Sequence, residues 1–365
     1  MPSGSLRRQI GRLLIAGFGG HQVPVELASL AREFGLGGVI LFARNVAEPE
    51  QVAELCYESA RLVPDLPLWV SVDQEGGRVA RLKAPFTEWP PMATLGRSGE
   101  VALAERFARA LALELKATGI TLDYAPVLDV ATNPKNPVIG DRALADTAED
   151  AGKLGAAIIR TMQAEGVAAC GKHFPGHGDT SADSHLELPL LEHPPDRFRG
   201  VEFVPFRAAI KADVATIMTA HVFAPALDQE RPATLSRRVV TELLRKELGY
   251  EGVILSDDLE MKAIANTYAV PEAAVMAIDA GCDGVLICSA DYDTQARTLE
   301  TLIKAVETDR LPYSRVDDAL KRQQRAKERF LGAAMVSRPA NAKALRQVIG
   351  RDEHRAIADE MARYL

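Results

Sequence analysis

The chain has little that would mark a secreted, membrane-bound or nucleic-acid-binding protein. Among its 365 residues are four cysteines, Cys56, Cys170, Cys282 and Cys288, with no CxxC spacing between them. Three sit in or beside apolar runs, so they read as buried free thiols in a reducing compartment. Positive charge is also short. The 43 Lys and Arg are outnumbered by 50 Asp and Glu, giving a net charge of −7. That argues against a nucleic-acid partner, since phosphate binding needs clustered Lys and Arg. No apolar run approaches the roughly 18 residues of a membrane span. The first such run, residues 13–18, lacks a cleavage-like end. Internal repeats and low-complexity segments are absent, as is a GxGxxG after the first strand candidate. The expectation is a cytoplasmic globular protein with no membrane partner. Its 47% hydrophobic residues are ample for a sizeable core.

What is present is an alternation. Short Val/Ile/Leu-rich runs recur at residues 13–18, 38–42, 68–72, 120–122, 167–170, 215–218, 252–255 and 284–288, as in strands buried on both faces. Amphipathic segments with helical spacing lie between them, at 51–62, 100–118, 148–165, 198–211, 237–247, 271–280 and 293–307. Eight strands alternating with helices predict an α/β fold, a single-domain TIM-like (β/α)8 barrel over residues 1–335. The alternative is a doubly wound open sheet. Residues 336–365 read as a linker, Ser337-Arg338-Pro339-Ala340-Asn341, and a tail of one or two helices at 342–349 and 353–364.

A barrel places catalytic groups at the C-terminal ends of its strands, and ionisable residues stand there. Asp73, Glu75 and Arg78 follow the third run, Asp123 and Asp129 the fourth, Lys172 and His173 the fifth, His221 the sixth, and Asp257 and Asp258 the seventh. The densest stretch, from Lys172-His173-Phe174-Pro175-Gly176-His177 to Asp183-Ser184-His185, holds three of the seven histidines. Its proline and glycines exclude a regular helix and suggest a loop that closes on substrate.

A carboxylate fixed at the barrel mouth, Asp257, could attack an anomeric carbon, with Asp258 supporting it or capping the next helix. Asp183 and His185, one residue apart, could meet on one side of an extended loop. A carboxylate beside an imidazole stabilises the imidazolium that a general acid needs. Asp73, Arg142, Lys172 and His173 could hold sugar hydroxyls or an acyl oxygen, or serve only as rim salt bridges. Glu75 and Arg78 suggest a scaffold pair, and His221 either supports the site or touches substrate. His173, His177, Asp179, Asp183 and His185 include possible metal ligands, but the glycines and Pro175 break the helix that their spacing would need. No metal is expected.

These blocks, with Tyr124-Ala125-Pro126-Val127-Leu128-Asp129 and Asn136-Pro137-Val138-Ile139-Gly140-Asp141-Arg142, resemble glycoside hydrolase family 3 over roughly residues 8–335. The similarity is to its bacterial β-N-acetylglucosaminidases of peptidoglycan recycling. The resemblance implies a retaining exo-acting enzyme without cofactor that removes terminal β-linked N-acetylglucosamine from muropeptides. By motif position Asp257 matches the nucleophile and Asp183–His185 the acid/base, while Asp73, Arg142, Lys172 and His173 match the sugar-holding residues. Ala143-Leu144-Ala145 follows Arg142 where the family more often has Ser-Phe-Gly. Residues 353–364 resemble the helix that leads into a second domain in larger relatives, so the site should be complete from the barrel alone, in a monomer. Rival expectations are a phosphorylase or β-glucosidase of the same family, a non-catalytic sugar-binding protein, and a metal-dependent hydrolase.

Overall fold

A computed structural model describes residues 3–63, 67–332 and 341–365. The expected apolar runs form eight parallel strands: β1 (Leu14–Gly17), β2 (Gly38–Leu41), β3 (Trp69–Val72), β6 (Leu122–Asp123), β7 (Ala168–Phe174), β8 (Thr216–Thr219), β9 (Val253–Asp258) and β10 (Gly284–Ile287). A two-stranded hairpin, β4 (Gln74–Gly76) and β5 (Val79–Ala80), follows β3. The eight strands close in the order β1-β10-β9-β8-β7-β6-β3-β2. This is the (β/α)8 barrel that the alternation predicts.

Closure buries both faces of every strand, and alternate side chains divide between two cores. Ile15, Ile40, Trp69, Leu122, Cys170, Met218, Val253, Leu255 and Leu286 pack inside the barrel. Leu14, Val39, Val70, Ala169, Ile217, Ile254 and Val285 face outward under the helices. The helix Tyr313–Phe330 plugs the bottom. There Lys327 Nζ donates to the carbonyls of Gly37 and Pro67 at 2.6 and 3.0 Å, and Trp69 Nε1 donates to Gln323 Oε1 at 3.1 Å. All four cysteines are buried free thiols. Among the described residues no helix is long and apolar enough to cross a membrane.

The segment expected as a helix at 237–247 is a π-helix, Arg238–Glu247. Its buried pairs Val239-Val240 and Leu243-Leu244 repeat every four residues and so share one face. Residues 337–340 of the expected linker, with the boundary at 335/336, lie outside the described residues. Both tail helices are present, at Ala342–Arg346 and Asp352–Ala362.

The second tail helix is docked on Val101–Ala117 through a buried carboxylate, Glu114. Glu114 Oε1 meets His354 Nδ1 at 2.7 Å and accepts from Gly350 N and Thr87 Oγ1 at 3.0 and 2.6 Å. Its Oε2 accepts from Thr87 N at 3.0 Å. Burial pushes this carboxyl up, but the bonds from His354 and Thr87 outweigh it and hold the group below its ordinary value. Glu114→Ala, which strands these donors, is expected to cost about 2–4 kcal/mol in urea unfolding and to raise hydrogen exchange across 352–362. An unchanged midpoint would show that packing alone holds the tail.

Candidate active site

Strand parity carries the interior faces up into the barrel mouth. Along β3 and beyond it, Trp69, Ser71 and Asp73 share one face; Ala168, Cys170 and Lys172 do so on β7, and Val253, Leu255 and Asp257 on β9. Each series is apolar or small at the bottom and ionisable at the top. The three tops line one cleft of about 430 Å³, with Phe42, Arg44, Arg81, Arg142, His173, His177, Ser184, His185, Asp258, Glu260 and Met261 among its other walls. Asp123 has the opposite parity. It is fully buried beneath the mouth, accepts from Gln74 N at 2.9 Å, and burial raises its carboxyl well above the ordinary value.

One wall is a compact set of charges. Lys172 Nζ lies 2.8 Å from Asp73 Oδ1 and 2.6 Å from Glu75 Oε1. Arg142 grips Glu75 with two parallel bonds, Nε to Oε2 and Nη2 to Oε1, both 2.8 Å, and donates from Nη1 to the Val138 carbonyl. Burial opposes the charged form of Glu75, but Arg142 and Lys172 override it and push the carboxyl far down. Against their own burial, Asp73 and Glu75 raise Lys172, and Glu75 raises Arg142. Arg81, unnoticed in the sequence, returns on the far arm of the hairpin to reach Asp73 Oδ2 at 3.3 Å. The expected Glu75–Arg78 pair is not made. Arg78 sits at the hairpin turn and goes instead to Asp141 at 3.6 Å and to the carbonyls of Val138 and Ile139.

A second wall depends on Asp129. This buried carboxylate accepts the backbone N–H of His173 at 3.2 Å and of His177 at 2.7 Å, and meets His173 Nδ1 at 2.7 Å. His173 therefore turns its Nε2 edge to the cleft. His177, Asp179 and Asp183, weighed as metal ligands, are occupied otherwise. The His177 nitrogens meet Thr180 and Ser184, and Asp179 meets Thr132 and His193.

The third wall is the end of β9. Asp257 Oδ1 accepts the Asp258 N–H at 2.8 Å. Burial would raise Asp257, but the imidazoles of His221 and His173 and this amide more than offset it, so the carboxyl lies below its ordinary value. Its neighbour behaves oppositely. Asp258 accepts from Glu260 N and Cys288 N at 3.1 and 3.2 Å, yet burial, Glu260 and Asp257 push it up to about 7. Neither aspartate caps the next helix, Lys262–Ala265, whose N-cap is Met261. Asp258 holds the turn before it. His221 Nε2 donates to the Asp258 carbonyl and its Nδ1 faces Thr234 Oγ1, both at 2.9 Å, so His221 is a support.

His185 and Asp183 do meet. Nδ1 lies 2.8 Å from Asp183 Oδ1, which also accepts the His185 N–H at 2.8 Å. With Nδ1 so engaged, Nε2 is the nitrogen free for chemistry. The cleft thus joins a low-lying carboxylate, an imidazole backed by a carboxylate and a wall of cations paired with Asp73 and Glu75. That is the equipment of an acid/base and nucleophilic enzyme acting on a small polar substrate.

A profile of the glycosyl hydrolase family 3 N terminal domain matches residues 5–326, and the chain belongs to that family of glycoside hydrolases. A beta-hexosaminidase of Pseudomonas aeruginosa is 39% identical over 333 residues, covering 90% of this chain and 98% of that protein. Beta-hexosaminidase A of Pseudoalteromonas piscicida is 35% identical, covering 93% of this chain, which spans 60% of that longer protein. A family 3 β-N-acetylglucosaminidase from Paenibacillus sp. FPU-7 superposes with a TM-score of 0.94 at 41% identity, covering 98% of this chain and 68% of that one. NagZ from Neisseria gonorrhoeae, in complex with N-trifluoroacetyl-D-glucosamine, gives 0.77 at 30% identity, covering 96% and 97%.

The raised Asp258 carboxyl has a consequence for stability. Its folded value of about 7 exceeds the ordinary carboxylate value, so its contribution is full in acid and is lost as pH rises through 7. Asp258→Asn keeps the acceptor oxygen without the charge. It is expected to raise the melting temperature by a few degrees at pH 8 and to change it little at pH 4. An equal shift at both pH values would mean that charge is not the cause.

Proposed function

We propose that the protein is a retaining exo-β-N-acetylglucosaminidase that acts on muropeptides, removing N-acetylglucosamine from its β-link to an N-acetylmuramic acid unit. The observation that carries this reading is that Asp257 and His185, whose Nδ1 is engaged by Asp183, line one cleft together with the polar groups of Asp73, Arg142, Lys172 and His173. The names of the relatives, β-hexosaminidase and β-N-acetylglucosaminidase, support the substrate class. The four buried free thiols support a reducing compartment such as the cytoplasm.

In the first step an Asp257 oxygen bonds to the anomeric carbon as the bond to the aglycone oxygen breaks. That oxygen takes the Nε2 proton of the His185 imidazolium, leaving a neutral ring still bound to Asp183 through Nδ1. In the second step water attacks the same carbon, gives its proton to Nε2 and releases Asp257 as carboxylate. Two inversions retain the configuration. Asp73, Lys172, Arg142 and His173 hold the sugar's hydroxyl and acyl oxygens. Asp183, whose carboxyl its bonds from His185 hold below the ordinary value despite burial, stays ionised to stabilise the imidazolium.

The test is turnover of an aryl N-acetyl-β-glucosaminide beside the matching β-glucoside, followed by NMR of the first-formed anomer. The N-acetyl substrate alone is expected to turn over, with β-anomer first and no dependence on phosphate. Asp257→Ala should lower kcat by at least about 1,000-fold. The acid limb of kcat/KM should fall below the ordinary carboxylate value of about 4, because the nucleophile works ionised and is lost only as pH falls through its lowered pKa. Phosphate-dependent turnover would make the protein a phosphorylase. Sugar binding without turnover would make it a lectin-like relic.

A further inference from the structure

If Asp183 and His185 are the acid/base pair, the loop's own anchoring points to one more residue of the machinery, and this inference rests on that reading. Residues 183–187 form a self-contained turn. Asp183 Oδ1 binds both the N–H and Nδ1 of His185, and the Asp183 carbonyl accepts from Leu186 N and Glu187 N at 2.9 and 3.0 Å. Those bonds set the geometry within the pair but do not decide where the turn sits over the cleft. Apolar packing does not decide it either, since Leu186 is 61% exposed.

The residue between the two members of the pair is different. Ser184 is 2% exposed, whereas the flanking Asp183 and His185 side chains are 32% and 62% exposed. Ser184 Oγ lies 3.0 Å from His177 Nε2, and its carbonyl accepts from Ala263 N at 3.2 Å. His177 is itself fixed, its N–H on Asp129 at 2.7 Å and its Nδ1 2.7 Å from Thr180 Oγ1.

The protons follow from the partners. The one hydroxyl hydrogen of Thr180 points at the His177 carbonyl at 3.0 Å, and Asn136 Nδ2 donates to the same hydroxyl oxygen at 3.2 Å. That oxygen therefore accepts from His177 Nδ1–H, which leaves Nε2 bare. Burial pushes His177 down to about 4, so near neutral pH Nε2 remains an acceptor for the Ser184 hydroxyl. A neutral donor suits this buried spot, where a second charge beside Asp129 and His173 would be costly.

We propose that Ser184 is the positioning residue of the acid/base pair, its hydroxyl donated to His177 Nε2 pinning the turn so that His185 Nε2 is presented to the cleft. The hydroxyl does no chemistry; it acts through His185.

The test compares kcat/KM for two aryl N-acetyl-β-glucosaminides. The dinitrophenyl glycoside loses its leaving group without a proton, and the phenyl glycoside needs one. Ser184→Ala is expected to slow the phenyl substrate about 10-fold while changing the dinitrophenyl substrate by less than about 2-fold. His185→Ala should give the same pattern with a larger gap, and Ser184→Thr, which restores the hydroxyl, should recover most of the loss. Equal losses on both substrates, or none on either, would overturn the proposal, as would a Thr variant as slow as the Ala one. If Ser184→Ala fails to discriminate while His185→Ala does, the pin alone is wrong. If His185→Ala itself does not discriminate, the acid/base reading fails and the pin with it.

Discussion

The mouth of this barrel depends on one buried set of charges, Lys172 and Arg142 against Glu75 and Asp73. Lys172, Glu75 and Arg142 are nearly out of water, where a lone charge is untenable and a paired one is held only by its partners. Because the members come from the ends of β3 and β7, the hairpin and residue 142, satisfying them fixes four segments at once. Removing one partner would leave a buried, uncompensated charge, a loss of about 3–5 kcal/mol. The same pairing pre-organises cationic donors along one side of the cleft. Stability of the mouth and readiness for a polar ligand therefore come from one arrangement.

A second node transmits that order outward. Asn136 donates to the carbonyls of His177 and Gly178 and accepts from Val138 N and Ile139 N, so one amide ties the β7 loop to the segment bearing Arg142. Gly178 is needed there, since a Cβ would fall 1.8 Å from the Val130 carbonyl oxygen. Asp129 thus holds both His173 and His177, and Asn136 holds the backbone at His177. The Asp183–His185 turn meets this base through Ser184 and His177. Adjacent Asp257 and Asp258 illustrate how finely the base sets charge. Imidazoles hold one ionised while burial and two carboxylates drive the other towards its acid form.

The strands were legible because burial on both faces demands unbroken Val, Ile and Leu. The site was legible because the same parity that selects Trp69, Cys170 and Leu255 places Asp73, Lys172 and Asp257 above them. What could not be read depends on chain reversal or on buried polar residues. Glu75 and Arg78 are near in sequence, but the hairpin turn sends Arg78 outward and brings Arg81 back to Asp73, a pairing that no local pattern encodes. The bottom helix Tyr313–Phe330 escaped notice because Gln323 and Lys327 lie on its buried face. In sequence these read as solvent-facing; in the fold they cap strand-end carbonyls and the Trp69 indole.

Residues 143–145 show which contacts place the Arg142 wall of the cleft. Ala143-Leu144-Ala145 departs from the Ser-Phe-Gly more often seen after the arginine in this family. Arg142, however, is oriented by Glu75 and the Val138 carbonyl, and none of its hydrogen bonds involves residues 143–145. Leu144 packs in the main core, and its carbonyl approaches Gly96 so closely that a Cβ there would sit 1.9 Å away. The segment is thus located by backbone approach and apolar burial, and the guanidinium by a two-bond ion pair. Separating those two tasks lets the side chains after Arg142 vary while the cation stays where the cleft requires it.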